Sequence, residues 1–366
     1  MTPPRFALLP VALAALSAPF ASGCAEGGVM AATPEYPALL VAGPAPRCAE
    51  NDPAGCAREC EAGDQPSCTR LGTMNEKGAG TKRDLALASK LYQRACQGKD
   101  PVGCAKLGYL HLVGKGVPLD YARARELSEG SCAGGAAMGC TNLGYLFETG
   151  KGVGQDYGRA VALYQRACDA GNAHGCSNLG IMFEKGRGVP RDYARAANLQ
   201  NRACAADDLS GCANLGFYYL GGRGVPADDQ KALELSARAC QGDEAIGCLN
   251  LGYLHEAGRA VAVDHARAFE LYRRACEGGA AHGCSNLGLM YEYGRATSID
   301  MGRAAELQRR ACDEGDLPGC RFLGKMYVKG RGVGPDSAIG ADYLGRACQG
   351  GDQEACNELP ALGRTP

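Results

Sequence analysis

The sequence predicts an all-α fold in which helical hairpins stack one after another. Three observations lead to this prediction: cysteines recur every 36 residues, glycine and aspartate recur at fixed distances from them, and the apolar residues in between stand at helical spacing. A period of this length, sustained over about 300 residues, is typical of stacked supersecondary units rather than of one globular core.

Twenty of the 21 cysteines form ten pairs whose members stand eight positions apart. In a secreted chain this spacing indicates disulfides, because the cysteine ligands of zinc usually stand about two to four residues apart. The predicted bonds are Cys48–Cys56, Cys60–Cys68, Cys96–Cys104, Cys132–Cys140, Cys168–Cys176, Cys204–Cys212, Cys240–Cys248, Cys276–Cys284, Cys312–Cys320 and Cys348–Cys356. Cys48 precedes Cys60 by only 12 residues, so the first hairpin is truncated and other pairings among the first four cysteines remain open.

Each repeat contains a first helix, a loop and a second helix. The segment GCTNLGYLFETG stops at Gly150, which readily takes the left-handed conformation that closes a helix. Asp156 then caps the second helix, since its carboxylate accepts unpaired backbone N–H groups. Gly144 has no Cβ, so the partner helix can approach closely. Cys168 ends one hairpin and Cys176 lies in the next, within bridging reach across the turn.

Residues 1–23 are predicted to be a signal peptide. Arg5 precedes an apolar run that is too short to span a bilayer and that ends in small residues. The letters ASGC resemble the lipobox of bacterial lipoproteins, which implies that Cys24 is lipidated and becomes the mature N-terminus. Ala21 departs from the branched aliphatic residue preferred there, so ordinary signal cleavage is the alternative. We expect a lipoprotein of the periplasm or outer membrane, or an extracellular protein.

The remaining boundaries follow from composition and from the repeat. Residues 24–47 contain four prolines and are predicted to be a disordered linker. The repeats occupy 48–359, with about eight full repeats and capping half-repeats, and 360–366 is predicted to be a disordered tail. Membrane contact is expected only through Cys24.

Charge and motifs exclude several classes of function. With 39 basic and 40 acidic residues, the chain lacks the basic excess that nucleic-acid binding requires. The five histidines are spread over four repeats, and no S-x-x-K nucleophile motif is present. The sequence therefore predicts no metal, no cofactor and no catalytic residue, and we expect a monomer.

The repeat LGYLFETGKGVGQDYGRAVALYQRA, residues 143–167, resembles the Sel-one-like repeat, a relative of the tetratricopeptide repeat. With cysteine at both alanine-like positions, the chain is similar to the Helicobacter cysteine-rich proteins over 48–359. This resemblance implies a secreted, disulfide-bonded, right-handed αα-hairpin solenoid. It also implies penicillin binding or weak β-lactamase activity, with peptidoglycan fragments as further ligands.

The same resemblance implies a concave groove lined by the first helices. Matching Leu143 and Gly144 to the repeat's own Leu-Gly places one asparagine register and several aromatic residues on that face: Asn142, Asn178, Asn214, Asn250 and Asn286, with Tyr109, Tyr145, Phe217 and Tyr253. An asparagine amide both donates and accepts, which suits the backbone of an extended peptide. The alternative is that each asparagine satisfies a backbone group of the neighbouring repeat. A scaffold that binds a protein or peptide is the favoured function, and β-lactam hydrolysis is the alternative.

Overall fold

A computed structural model describes residues 45–364. Within this range 18 α-helices and one 3₁₀ helix form, and no strand is present. The predicted signal peptide, Cys24 and residues 25–44 of the predicted linker lie outside the described residues. In residues 45–364, none of the helices is long and apolar enough to cross a membrane.

The helices alternate between first and second members of hairpins. The first helices are α2 (Gln65–Lys77), α4 (Pro101–Val113), α6 (Ala137–Thr149), α8 (Ala173–Lys185), α10 (Leu209–Gly221), α12 (Ala245–Ala257), α14 (Ala281–Tyr293) and α16 (Leu317–Lys329). The second helices are α3 (Leu85–Gln97), α5 (Tyr121–Ala133), α7 (Tyr157–Asp169), α9 (Tyr193–Ala205), α11 (Asp229–Gln241), α13 (His265–Glu277), α15 (Met301–Asp313) and α17 (Ser337–Gln349). Helix α1 (Pro53–Glu61) precedes them, and α18 (Gln353–Glu358) with a 3₁₀ helix (Leu359–Leu362) follows.

The described chain divides into two compact units, an N-terminal unit up to Ala232 and a C-terminal unit from Leu233. Each unit is a stack of hairpins whose core is shared by successive repeats. In the N-terminal unit, for example, Ala88 and Tyr92 of α3 pack with Leu107 and Leu110 of α4 and with Leu127 of α5. The predicted all-α fold of stacked hairpins is thus confirmed.

The predicted turn chemistry is also found. Gly150 closes α6 with a φ of 72°, and the carboxylate of Asp156 accepts from the N–H of Arg159 at 2.9 Å. A Cβ added to Gly144 would lie 2.7 Å from the ring of Tyr164, which explains why the first helix carries glycine there.

All ten predicted disulfides are present in the structure. Their Cα–Cα distances run from 4.4 to 4.9 Å, within the range of an ordinary disulfide. The first four cysteines pair as Cys48–Cys56 and Cys60–Cys68, which decides between the pairings left open by the sequence.

The order of the chain extends beyond the predicted boundaries at both ends. Before the repeats, the backbone N–H of Arg47 donates to Asp64 at 3.2 Å, so the linker ends before Arg47. After them, the expected disordered tail is wrong for its first residues, because Leu359–Leu362 forms a 3₁₀ helix. Leu359 is buried and Leu362 packs against the last hairpin, so both leucines cover apolar surface of that hairpin.

Candidate functional site

The first helices form the inner side of each unit. In the N-terminal unit α2 contacts α4, α4 contacts α6, α6 contacts α8 and α8 contacts α10. Among the described residues of that unit, the second helices α3, α5, α7 and α9 make no comparable contacts with one another. The first helices therefore lie closer together than the second helices, and we call their solvent-facing surface the inner face.

The predicted aromatic residues lie on the inner face. Tyr109, Tyr145 and Phe217 of the N-terminal unit are half-buried, and so is Tyr253 of the C-terminal unit. Ile181 occupies the same register and was missed, although its position 36 residues after Tyr145 is a sufficient signal. Four successive first helices of the N-terminal unit thus present an apolar side chain at the same place.

The five asparagines do not share one environment. Asn142 is buried, and its Nδ2 donates to the carbonyl oxygen of Ala105 in the preceding hairpin at 2.9 Å. Asn250 is buried as well. The assignment of these two residues to a ligand groove is therefore wrong, because Asn142 satisfies a neighbouring backbone group and neither side chain is available to a ligand.

The other asparagines are half-buried. Asn286 of the C-terminal unit contacts the phenol of Tyr272. Within residues 45–364, the side chains of Asn178 and Asn214 form no hydrogen bond with another protein group. These two amides of neighbouring hairpins are free to bind a ligand, so the predicted asparagine register is reduced to them in the N-terminal unit.

Glutamates near the C-terminal ends of the first helices accept hydrogen bonds from buried tyrosines. The buried phenol of Tyr164 donates to Glu148 at 2.8 Å, and burial together with that carboxylate raises the pKa of Tyr164. Gln200 occupies the position of Tyr164 in the next hairpin and bonds to Ser177, and Glu184 accepts instead from Tyr218 of the following hairpin at 3.0 Å.

The same glutamates also pair with cations. Glu148 lies 3.7 Å from Arg187, and Glu184 lies 3.9 Å from Arg223. Each carboxylate therefore has a cationic partner and accepts a hydrogen bond from a tyrosine. This environment is unlike that of a carboxylate that acts as a general base.

Cations border the aromatic register. The Nζ of Lys151 lies 5.3 Å from the ring centre of Tyr145 and 3.1 Å from its hydroxyl. The guanidinium of Arg223 lies 5.1 Å from the ring centre of Phe217 and 5.8 Å from that of Tyr193. The inner face of the N-terminal unit thus combines apolar surface, free amides and positive charge, a combination that suits a polypeptide with apolar and acidic side chains.

Two histidines support the junctions between hairpins. The Nδ1 of His174 lies 2.8 Å from Asp208, the residue that caps α10, and the Nδ1 of His282 lies 2.9 Å from Asp316, which caps α16. The hydrogen bond to Asp208 raises the pKa of His174. Burial opposes ionisation of Asp208, but its bonds to His174 and to the backbone lower its pKa.

His255 has a different environment. Burial lowers the pKa of His255, which lines an apolar cavity of about 310 Å³ with Leu233 and Leu251. No cluster of three potential metal ligands occurs within 45–364. The β-lactam hydrolysis implied by the resemblance gains no support from these groups.

The fold and the inner face define a disulfide-bonded repeat scaffold whose exposed surface is suited to contact with another polypeptide. Eight segments match the Sel1 repeat: residues 65–100, 101–135, 137–172, 173–208, 209–244, 245–279, 281–316 and 317–352. The chain belongs to the Sel1 repeat family. Proteins of this family generally mediate protein–protein interactions.

Several solved structures are similar to this chain. A protective antigen present in uropathogenic Escherichia coli strains is 26% identical, with 85% of this chain and 67% of that chain covered and a TM-score of 0.51. A Sel1 repeat protein from Oxalobacter formigenes is 24% identical, with 84% and 89% covered and a TM-score of 0.52. Cysteine rich protein B of Helicobacter pylori is 30% identical over 36% of this chain and 96% of that chain, with a TM-score of 0.31. No curated protein matches the chain.

Proposed function

We propose that the protein is an envelope scaffold that holds an extended segment of a partner protein along the inner face of the N-terminal unit. The observation that carries this proposal is the half-buried register of Tyr109, Tyr145, Ile181 and Phe217 on four successive first helices. Partly exposed aromatic and aliphatic side chains at regular intervals suit the anchoring side chains of an extended chain.

Two features support recognition of a peptide backbone. The amides of Asn178 and Asn214 lie on neighbouring hairpins of this face and have no protein partner within 45–364. Each offers donors and an acceptor to a backbone of any sequence. Lys151 adds a positive charge beside Tyr145, so we expect acidic residues to be favoured in the bound segment.

The ten disulfides indicate an oxidising, non-cytoplasmic environment. Within that environment, we propose that Cys24 carries a lipid that anchors the scaffold to the outer membrane, with the linker as a tether. Cys24→Ser should then release the protein from the membrane fraction. Recovery of the unmutated protein in the soluble fraction would contradict the anchor and would leave the binding proposal intact.

The binding proposal is tested with peptides selected by phage display against the oxidised protein. The combined change Asn178→Ala and Asn214→Ala should weaken binding of the selected peptides by about 1 to 3 kcal/mol, because the hydrogen bonds to the ligand are lost. The thermal unfolding temperature should change little. The combined change Tyr145→Ala and Phe217→Ala should lower the affinity of these peptides further, because the apolar anchors are lost.

Leu87→Ala is the matched control, since Leu87 is an exposed apolar residue of the second helix α3. It should leave peptide affinity unchanged. Equal affinity of the selected peptides for the parent and for both inner-face variants would refute the proposal. Loss of stability with intact binding in the asparagine variant would assign Asn178 and Asn214 to packing.

A further inference from the structure

An arginine stands two residues before the first cysteine of most pairs. In five repeats its guanidinium donates to the carbonyl oxygen of the cysteine near the end of the preceding second helix, whereas Arg94 donates to the carbonyl oxygen of Glu61. The bonds are Arg166 to Cys132 at 3.2 Å, Arg202 to Cys168 at 3.2 Å, Arg274 to Cys240 at 2.7 Å, Arg310 to Cys276 at 2.9 Å and Arg346 to Cys312 at 3.4 Å. This carbonyl is therefore a guanidinium acceptor used repeatedly within the fold.

One repeat lacks the arginine and has Gly130 in its place. The carbonyl oxygen of Cys96 accepts the backbone N–H of Lys99 at 2.9 Å, and no side chain in the described part of the chain donates to it. The five cysteine carbonyls that accept an arginine also accept a similar turn N–H; for instance, the N–H of Gly171 donates to Cys168 at 3.0 Å. The Cys96 carbonyl thus retains an acceptor position.

A groove of about 290 Å³ lies beside Gly130, between α3 and α5, and we call it the Gly130 groove. A cavity of about 310 Å³ lies at the equivalent place in the C-terminal unit, and there Arg274 of the chain itself forms part of the lining beside Cys240. Leu107 and Leu127 form apolar walls, and Glu126 and Arg123 lie at its edge as an ion pair of 2.5 Å. A Cβ added at Gly130 would meet no atom within 4 Å. Packing therefore does not require glycine there, although glycine weakens a helix interior.

The groove reaches the disulfide beneath it. Cys96 and Cys104 are half-buried, whereas the cysteines of the next three pairs are buried: Cys132, Cys140, Cys168, Cys176, Cys204 and Cys212. At those pairs an arginine is present two residues before the following cysteine. The exposure of Cys96 and Cys104 shows that the Gly130 groove is open to solvent.

We propose that the Gly130 groove binds an arginine side chain of a partner protein. The methylene stem would lie against Leu107 and Leu127, and the guanidinium would donate to Cys96 as the chain's own arginines do in five other repeats. A planar guanidinium offers five N–H donors in a fixed arrangement, which an ammonium group cannot reproduce. Glu126 pairs with Arg123 but has acceptor positions left, so it can bind a second N–H of the same guanidinium.

The groove lies between second helices, away from the inner face, so it is a second contact that is independent of the proposed peptide site. Gly130→Arg supplies the missing side chain and should occupy the acceptor position at the Cys96 carbonyl, as Arg274 does at Cys240. Gly130→Ala is the matched control, because it removes the glycine and leaves the groove open. Thermal unfolding should show both variants folded and at least as stable as the parent.

The probe is N-acetyl-L-arginine N-methylamide, and its binding is followed by amide NMR at Lys99, whose N–H shares the Cys96 carbonyl. Saturable shifts are expected for the parent and for Gly130→Ala, with loss of binding for Gly130→Arg. The neutral citrulline analogue should bind less tightly. Shifts of equal size in Gly130→Arg, or none in the parent up to the solubility limit of the probe, would overturn the proposal.

A reciprocal variant tests whether the carbonyl is the recognition element. Arg202→Gly removes the side chain that donates to Cys168 and should create a second groove of the same kind. The probe should then also shift the N–H of Gly171, which shares the Cys168 carbonyl. If no second site appears in the folded variant, the assignment of the cysteine carbonyl as the arginine acceptor is wrong.

Discussion

Every repeat contains two reversals of the chain, and they are stabilised in different ways. The loop inside a hairpin, such as 186–192, has no covalent link and depends on backbone conformation. The junction between hairpins, such as 168–176, carries a disulfide and a short turn. Both reversals begin their next helix with a capping side chain, Asp192 in the loop and Asn172 in the junction.

The loop inside the hairpin packs against the preceding repeat. Gly186 and Gly188 both have positive φ, and a Cβ on Gly188 would lie 2.5 Å from the carbonyl oxygen of Tyr157. At the junction, Gly171 also has positive φ, but a Cβ there would meet nothing within 4 Å. In this repeat, a side chain at the loop would meet both a close backbone and an unfavourable φ, whereas at the junction it would meet only the unfavourable φ. The junction position accordingly carries Lys99, Asp207 and Asp243 in other repeats, also with positive φ.

The comparison shows that the stacking of repeats and the stability of the junctions depend on different parts of the sequence. Close backbone contact at the loop joins one hairpin to the one before it. The disulfide restricts the unfolded chain at the junction, where the turn itself has few contacts. The following predictions test this division.

The largest effect is expected from the disulfides. On the chain-entropy model each loop of this length contributes about 2.5 kcal/mol, so full reduction should lower the melting temperature strongly. Circular dichroism with and without reductant measures the change, and mass spectrometry should detect no free thiol between Cys48 and Cys356 before reduction. An unchanged melting temperature would show that packing alone maintains the stack.

An intermediate effect is expected when alanine replaces glycine in the two reversals. Gly171→Ala should cost about 1 to 2 kcal/mol, the usual penalty for alanine in the left-handed region. Gly188→Ala should cost about 1 to 3 kcal/mol more, because its Cβ displaces the backbone of Tyr157. Ala260 and Ala296 occupy the equivalent position of other loops with positive φ, so we expect the variant to fold.

Chemical unfolding of both variants measures the difference. Asp192→Ala, which removes a cap in the same loop, is a control for local damage without a steric clash and should cost about 1 kcal/mol. Equal losses for Gly171→Ala and Gly188→Ala would remove the proposed distinction between loop and junction.

The smallest effect is expected from pH at the junction that contains His174 and Asp208. The pKa of His174 is raised above 6.5, so its stabilisation is complete below that value and is lost as the pH rises through the folded pKa. The pKa of Asp208 is lowered below 3.8, so its stabilisation is present above that value and is lost as the pH falls. The pair should therefore stabilise the junction most between about pH 4 and pH 6.5.

Urea unfolding of the parent and of His174→Gln at several pH values tests this prediction. The difference in stability should be larger at pH about 5.5 than at pH about 8, because only the protonated histidine pairs with the carboxylate. A difference that is the same at both pH values would show that His174 acts without its charge.

The sequence by itself determined the repeat length, the alternating helices, their glycine ends and aspartate caps, and the disulfides of the full repeats. These features are local, because each depends on residues within about one helical hairpin, and the repetition identifies them several times over. The family follows from the same local pattern, since the repeat is the family's signature.

Only the tertiary structure decided which residues at equivalent positions of the repeats make the same contacts. Asn142 and Asn178 occupy equivalent positions, yet only Asn142 is buried against the carbonyl of Ala105. Likewise, Tyr218 supplies Glu184 with the hydroxyl that Gln200 lacks. At Gly130 the carbonyl of Cys96 has no arginine partner among the described residues, although the equivalent carbonyl has one in five other repeats. Each of these contacts joins neighbouring hairpins, so it depends on the side chains and the packing of the adjacent repeat. The sequence of a single repeat does not contain that information.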